Sequence, residues 1–140
     1  MIAGIAGYLK SVDRRIEVIG CQPRNSCVML ESIKAGRILE IGSLPTLSDA
    51  TAGGMEADSV TFDLCRELVD DFILLDVEAI IEAIRLIYRH EQMAVEGGAA
   101  LAVAAVLQYR KRFAGGRASL IVTGSKIDED TLRRIGCRDA

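Results

Sequence analysis

Ser119–Asp128 reads SLIVTGSKID, and the rest of the chain can be ordered around it. Ser119–Val122 is a short apolar run of the kind that suits a pleated, half-buried surface. Thr123-Gly124-Ser125 turns the chain. Asp128 is placed to cap a helix over Glu129–Arg134, with acids early and arginines late, as the helix dipole favours. The reading is strand, small hydroxyl-bearing turn, helix. In open α/β sheets ligands sit just beyond the carboxyl ends of such strands, so a site built here has Thr123 at its edge. An ordinary strand-to-helix turn carries the same residues, and this stretch alone leaves both readings open.

Just upstream, Gly115-Gly116 breaks the chain before this strand. The helix before that break, from about Gly98 to Arg112, is small and apolar until its basic end, Arg110-Lys111-Arg112. Ala99–Val106 is expected to be buried on most sides. Before it comes AVEGGAA (Ala94–Ala100). Glycines permit close backbone approach, and Glu96 beside Gly97-Gly98 can face a ligand. A helix over Val77–Met93, capped by Asp76, sets Ile80, Ile84, Ile87 and Glu91 on one line. His90 near its end reads as a solvated or dipole-facing histidine.

Asp71–Leu75 is a second strand and Glu17–Cys21 a third, ended by Gln22-Pro23. Between them a helix capped by Asn25 or Ser26 runs to Ala35, with Gly36 as its stop. A second helix runs from Asp58 or Ser59 to about Val69, with Phe62, Cys65 and Leu68 or Val69 as its apolar stripe. Arg37–Ala57, with Pro45, Gly53 and Gly54, has little helical pattern. A connection that long is uncommon in a compact domain and is often functional, although a surface loop would look the same. Met1–Lys10 is a helix from the first residue, with Ile2, Ile5 and Leu9 on a shared face. The order predicts an α/β fold, three-layered, with a parallel sheet of at least three strands near 17–21, 71–75 and 119–123 and right-handed crossovers.

The totals narrow the function classes. The 140 residues suit one α/β domain. Half of them are hydrophobic, and mean hydropathy is +0.26, as buried parallel strands require. A net charge of −3 gives no field to draw the chain to nucleic acid or anionic lipid. With no Trp, three Phe and three Tyr, base-stacking platforms are not expected either. Cys21, Cys27, Cys65 and Cys137 form no CxxC pair, and the single His90 gives little material for a zinc site. Free thiols in a reducing cytoplasm are expected. The longest apolar run, Ala99–Leu107, is far short of the ~20 residues of a membrane helix.

Three stretches carry a resemblance when taken together. They are TLSDATAGGMEADSVTFDLCRELVDDFILL (Thr46–Leu75), AVEGGAALAVAAVL (Ala94–Leu107) and VTGSKID (Val122–Asp128). In this order and spacing they resemble the C-terminal part of threonine/serine dehydratases. These are fold type II pyridoxal-phosphate (PLP) enzymes related to serine racemase, and the hydroxyectoine-utilisation dehydratase branch is the nearest in character. The resemblance implies PLP as cofactor, an amino-acid substrate and a homo-oligomer. It also implies roles residue by residue. Thr123, followed by Gly124, matches the Ser/Thr that hydrogen-bonds the pyridine nitrogen. A neutral hydroxyl there leaves the ring nitrogen largely unprotonated, which suits β-elimination. Glu96 matches an acidic residue near cofactor and substrate. The helix start at Ile2, Ala3 and Gly4 matches the phosphate-facing end. Gly53 and Gly54 match a glycine segment of the active-site wall.

The sequence also departs from the family pattern. The family turn is commonly Ser-Gly-Gly-Asn, and here it is Thr123-Gly124-Ser125-Lys126. The family's Schiff-base lysine and glycine-rich phosphate loop lie in its N-terminal half. Lys10, Lys34, Lys111 and Lys126 do not match that lysine's motif. The racemase-type divalent-metal stretch matches Gln22–Val28, where Gln22, Ser26 and Val28 replace the ligand set, so no Mg²⁺ or Ca²⁺ is expected there. The reading is therefore the C-terminal portion of a PLP-dependent ammonia-lyase, an incomplete part of a larger fold and inactive alone. Two rivals stand beside it: a non-catalytic binding or dimerising remnant, and a phosphate-binding module at Thr123–Lys126, which has no GxGxxG or Walker pattern.

Overall fold

A computed structural model describes residues 1–137. In chain order the elements are helix α1 (Ile2–Val12), strand β1 (Ile19–Pro23), helices α2 (Val28–Ala35) and α3 (Val60–Leu68), strand β2 (Asp71–Leu75), and helices α4 (Val77–Glu91), α5 (Gly97–Gln108), α6 (Arg110–Phe113) and α7 (Glu129–Arg134). A single 3₁₀ turn at Asp49–Thr51 interrupts the long connection.

β1 and β2 pair in parallel, Ile19 opposite Asp71 through Pro23 opposite Leu75. Strand side chains alternate between faces, and here they feed two separate cores. Ile19, Cys21, Ile73 and Leu75 join Ile80, Ile84, Ala99, Ala100 and Ala104 under α4 and α5. Phe72 points the other way and joins Ala3, Ala6, Val18, Cys65 and Val69 under α1 and α3. Helices therefore cover both faces of a buried parallel pair, which is the three-layer α/β arrangement expected. On the second face, Gly20 lies under the Phe72 ring and Ile2, where a Cβ would overlap the ring.

Local signals set the helix ends. Gly36 closes α2 in the left-handed region at φ 69°. The Asp128 side chain accepts a hydrogen bond from the Thr131 N–H at 2.8 Å and caps α7. Asp76 stands at the N-cap of α4, but its carboxylate pairs with Arg24 at 2.7 Å instead of capping. α5 is predominantly alanine and apolar, and Ala99, Ala100, Leu101, Ala104 and Ala105 are all buried.

Two strand expectations change. β1 occupies Ile19–Pro23, two residues later than 17–21. Glu17 is engaged by Arg112 at 2.7 Å, and the Val18 N–H donates to the Asp70 carboxylate at 2.7 Å, so the ladder starts after them. Pro23 is tolerated because the neighbouring Arg24 N–H faces the Leu75 carbonyl. By alternation the Pro23 nitrogen lies on the open edge, where no ladder bond is lost. The third strand, near 119–123, is absent: among the described residues the sheet has two strands, in the order β1–β2. Ser119–Thr123 is exposed and in no regular element. Its residues have strand character, but a ladder needs a neighbour, and no described segment pairs with it.

Candidate active site

The long connection organises one end of the sheet. Just past β1, the Asn25 side chain donates to the Pro45 carbonyl at 2.6 Å, and the Leu44 N–H donates to the Asn25 carbonyl at 2.8 Å. Ser26, buried, shares a hydrogen bond with Ser43 at 2.6 Å, and the Gly53 N–H donates to both hydroxyls, at 3.1 and 3.2 Å. The loop then crosses to the start of α5. The Leu47 carbonyl lies over Gly97 so closely that a Cβ there would overlap it. Ser48, fully buried, bonds Thr51 at 2.6 Å beside Gly98. Gly97 is thus required by backbone contact from Leu47 and Ser48, whereas a Cβ at Gly98 would meet only side-chain atoms of Ser48, Ala50 and Thr51 at 3.4–3.8 Å. These contacts place the connection, Gly53 and the start of α5 just outside the carboxyl ends of the strands, where α/β ligand sites form.

Glu96 and Gly124 meet at that end. The Glu96 N–H donates to the Gly124 carbonyl at 3.4 Å, and the Lys126 N–H donates to a Glu96 carboxylate oxygen at 3.3 Å. Gly124 has φ 77° and lies against the Glu96 carboxylate, so a Cβ would overlap it. The backbone conformation calls for glycine, and any side chain would also push the Glu96 carboxylate aside. Thr123, adjacent, is exposed, and its hydroxyl has no hydrogen-bond partner among the described residues. A cleft of about 210 Å³ beside this contact is lined by Thr46, Asp49, Glu96, Lys126, Thr131 and Arg134, among others. A more open groove of about 590 Å³ lies elsewhere, around Lys10, Arg14, Glu67 and Asp70, and holds none of these groups.

α1 runs antiparallel to the strands. Ile2 reaches Gly20 inside β1, while Lys10 binds Asp70, just before β2, at 2.6 Å. The first turn of α1, Ile2–Gly4, therefore opens toward the carboxyl end. Its first N–H groups are without helical acceptors, and the space beside Gly4 is open. Among the described residues no hydrogen bond links Ile2, Ala3 or Gly4 to Glu96 or Thr123. Gly54 likewise meets nothing within 4 Å.

The structure thus joins Glu96 to the Thr123-Gly124 turn, and it ties Gly53 to Ser26 and Ser43 at the same end. Sequence reasoning did not single out Ser26, Ser43 and Ser48 as site-forming residues. Ser26 and Ser43 act through partners distant in sequence, while Ser48 bonds Thr51 nearby and meets α5 only through Gly98. Gln22, read as a lost metal-ligand position, accepts the Leu30 N–H at 3.1 Å and supports the first turn of α2. Burial pushes the Cys21 thiol up to about 11, which keeps it protonated and a poor nucleophile at neutral pH.

A parallel α/β unit with a polar turn, a carboxylate and an open helix start at one sheet end is the architecture of a cofactor-binding α/β enzyme portion. The pyridoxal-phosphate dependent enzyme family matches residues 1–124, and the chain belongs to that family. It is 31% identical to the biosynthetic L-threonine dehydratase of Burkholderia multivorans over 140 residues, covering 99% of this chain and 27% of that protein. Among solved structures it is similar to maize serine racemase, with TM-score 0.84 and 28% identity, covering 95% of this chain and 42% of that one. It is also similar to the processed form of threonine deaminase isoform 2 from Solanum lycopersicum, with TM-score 0.86 and 25% identity, covering 96% and 40%. The chain therefore spans well under half the length of each.

PLP is the cofactor of this family, and the described residues fit it only in part. The free Thr123 hydroxyl and the open start of α1 are groups a pyridine nitrogen and a phosphate can use. No lysine of this chain matches the family's Schiff-base motif. Lys10 is paired with Asp70 and Lys34 with Glu31, Lys111 lies on α6, and Lys126 approaches Glu96 through its backbone. No chemical step through the cofactor follows from these residues.

Proposed function

We propose that this chain is the C-terminal portion of a PLP-dependent threonine/serine dehydratase, an ammonia-lyase giving a 2-oxo acid and ammonia. The observation that carries the reading is the packing of the Glu96 carboxylate on Gly124, the residue that follows Thr123, in a member of this family. Bound PLP supplies an electron sink for β-elimination in such enzymes. In this reading Thr123 orients the ring through its nitrogen. Glu96, held by the Lys126 N–H, presents a carboxylate near the substrate. Ile2, Ala3 and Gly4 face the phosphate, and Gly53 and Gly54 form the wall. Residues 1–140 act as one α/β unit of a larger fold, cytoplasmic and homo-oligomeric. Its charge and aromatic content give no support to a nucleic-acid or membrane partner.

The chain alone is expected to be inactive, since nothing replaces the Schiff-base lysine's proton transfer. Ammonia release from L-serine or L-threonine with added PLP should not exceed a protein-free control, and PLP-dependent turnover would sink that expectation. Intact mass and N-terminal peptide mapping of the protein from its own organism test the larger reading. A mass well above 15.1 kDa, with a glycine-rich segment before Met1, assigns the dehydratase chemistry to the longer polypeptide. A native mass of 15.1 kDa moves the assignment to a non-catalytic, dimerising role. The exposed run Leu120–Val122 specifically favours that second reading.

A further inference from the structure

Glu96 sits where three segments of the chain meet. Its carbonyl accepts the Ala99 and Ala100 N–H groups, at 3.1 and 3.2 Å, and so opens α5. Its successor, Gly97, lies under the Leu47 carbonyl, which ties this helix start to the long connection. The rest of Glu96 is turned toward Thr123–Lys126. Its N–H donates to the Gly124 carbonyl at 3.4 Å, and its carboxylate accepts the Lys126 N–H at 3.3 Å. The two bonds bracket Ser125, and Gly124, at φ 77°, packs on the carboxylate. Both bonds are long for N–H···O contacts, so the hold rests on their pairing and on the packing of Gly124.

We propose, resting on the dehydratase reading for the use made of the hydroxyl, that Glu96 is a positioning residue for Thr123. It grips the turn from one side and sets where the Thr123 hydroxyl stands, a task besides presenting a carboxylate near the substrate. A group that orients a ligand must be held within about 0.5 Å of its working place, and Thr123, exposed on a turn, needs such a hold from a neighbour. The hold has a specific chemical requirement. The bond to Lys126 needs an acceptor oxygen at the end of a side chain of this length. It does not need a negative charge, because an amide oxygen accepts the same N–H. A carboxylate kept for its charge alone has the opposite requirement, and two conservative substitutions separate the two.

Backbone NMR relaxation and amide exchange of the full chain test this without turnover, so the result stands whether or not the dehydratase reading does. In wild type, Thr123–Lys126 should be nearly as ordered as α5, with order parameters of about 0.8. Glu96→Gln keeps the reach and loses the charge, and should leave these values and the Lys126 exchange rate unchanged. Glu96→Asp keeps the charge and shortens the reach by a methylene. It should lower the order parameter at Thr123 to about 0.6 or below and speed Lys126 exchange about fivefold. The amides of Ile84 and Leu101, buried in the main core, should not change and report that the fold is intact. A wild-type turn that is already loose overturns the proposal. So does a Glu96→Asp turn like that of wild type, or a Glu96→Gln turn as loose as that of Glu96→Asp. If Glu96→Asp does not fold, Glu96→Ala replaces it with the same expectation.

Discussion

Asp71–Leu75 and Ser119–Thr123 are both five-residue runs dominated by aliphatic residues, yet they end in opposite states. DFILL lies in a parallel ladder with β1, and its Ile73 and Leu75 are buried. SLIVT lies open, with its three aliphatic residues about two-fifths exposed. Composition does not separate them; neighbours do. Asp70 and Asp71 are held to α1, Val18 and Arg112, which fixes β2 beside β1. The backbone bond from the Glu96 N–H to the Gly124 carbonyl comes after the second run. Apolar residues permit a strand, and a partner makes it one.

The largest expected contrast is in stability. Leu75→Ala should cost about 2–5 kcal/mol in urea unfolding, since Leu75 is 1% exposed in the main core. Leu120→Ala should change stability by under about 0.5 kcal/mol in the monomer. Similar costs for the two would mean that Ser119–Thr123 is buried after all.

A smaller effect isolates the contact that ends the open run. Gly124→Ala forces the Glu96 carboxylate aside and places a side chain at φ 77°. The clash part should vanish in a Glu96→Ala background, leaving only the backbone strain. A double-mutant cycle should therefore show coupling of about 1 kcal/mol, and strict additivity would remove the packing of Glu96 on this turn.

The smallest concerns the anchor of β2. The Lys10 ammonium, and then the Val18 N–H, lower the Asp70 pKa below the ordinary carboxylate range. Its contribution is full above the unfolded value near ~3.9 and is lost as pH falls through the folded value. Wild type should therefore lose more stability than Asp70→Asn between neutral pH and acid. Parallel acid profiles would mean that Asp70 does not hold β2 in place.

Much of this was legible in the chain. Gly36, Asp128 and Asp71–Leu75 announce their roles locally, through left-handed backbone, capping chemistry and aliphatic composition. Of the candidate site residues, Glu96 and Gly124 could be named from the sequence, and they lie in contact. The supports of the loop could not be named. Ser26 reaches Gly53, Asn25 reaches Pro45, and Leu47 reaches Gly97 across sequence gaps that no local pattern encodes. The third strand failed for the same reason in reverse, because its signal was local and its requirement was a distant partner. The start of β1 moved because Glu17 and Val18 answer to Arg112 and Asp70, which lie far away in sequence.

Pro23 bears on colloidal behaviour. Its nitrogen faces the open side of β1 and carries no hydrogen, so that edge lacks a donor in its last residue. An incoming strand can bond near Cys21 but cannot continue through Pro23. Among the described residues β1 is five residues long, already shorter than the six or seven of a cross-β spine, and the imino acid takes away a further donor at its end.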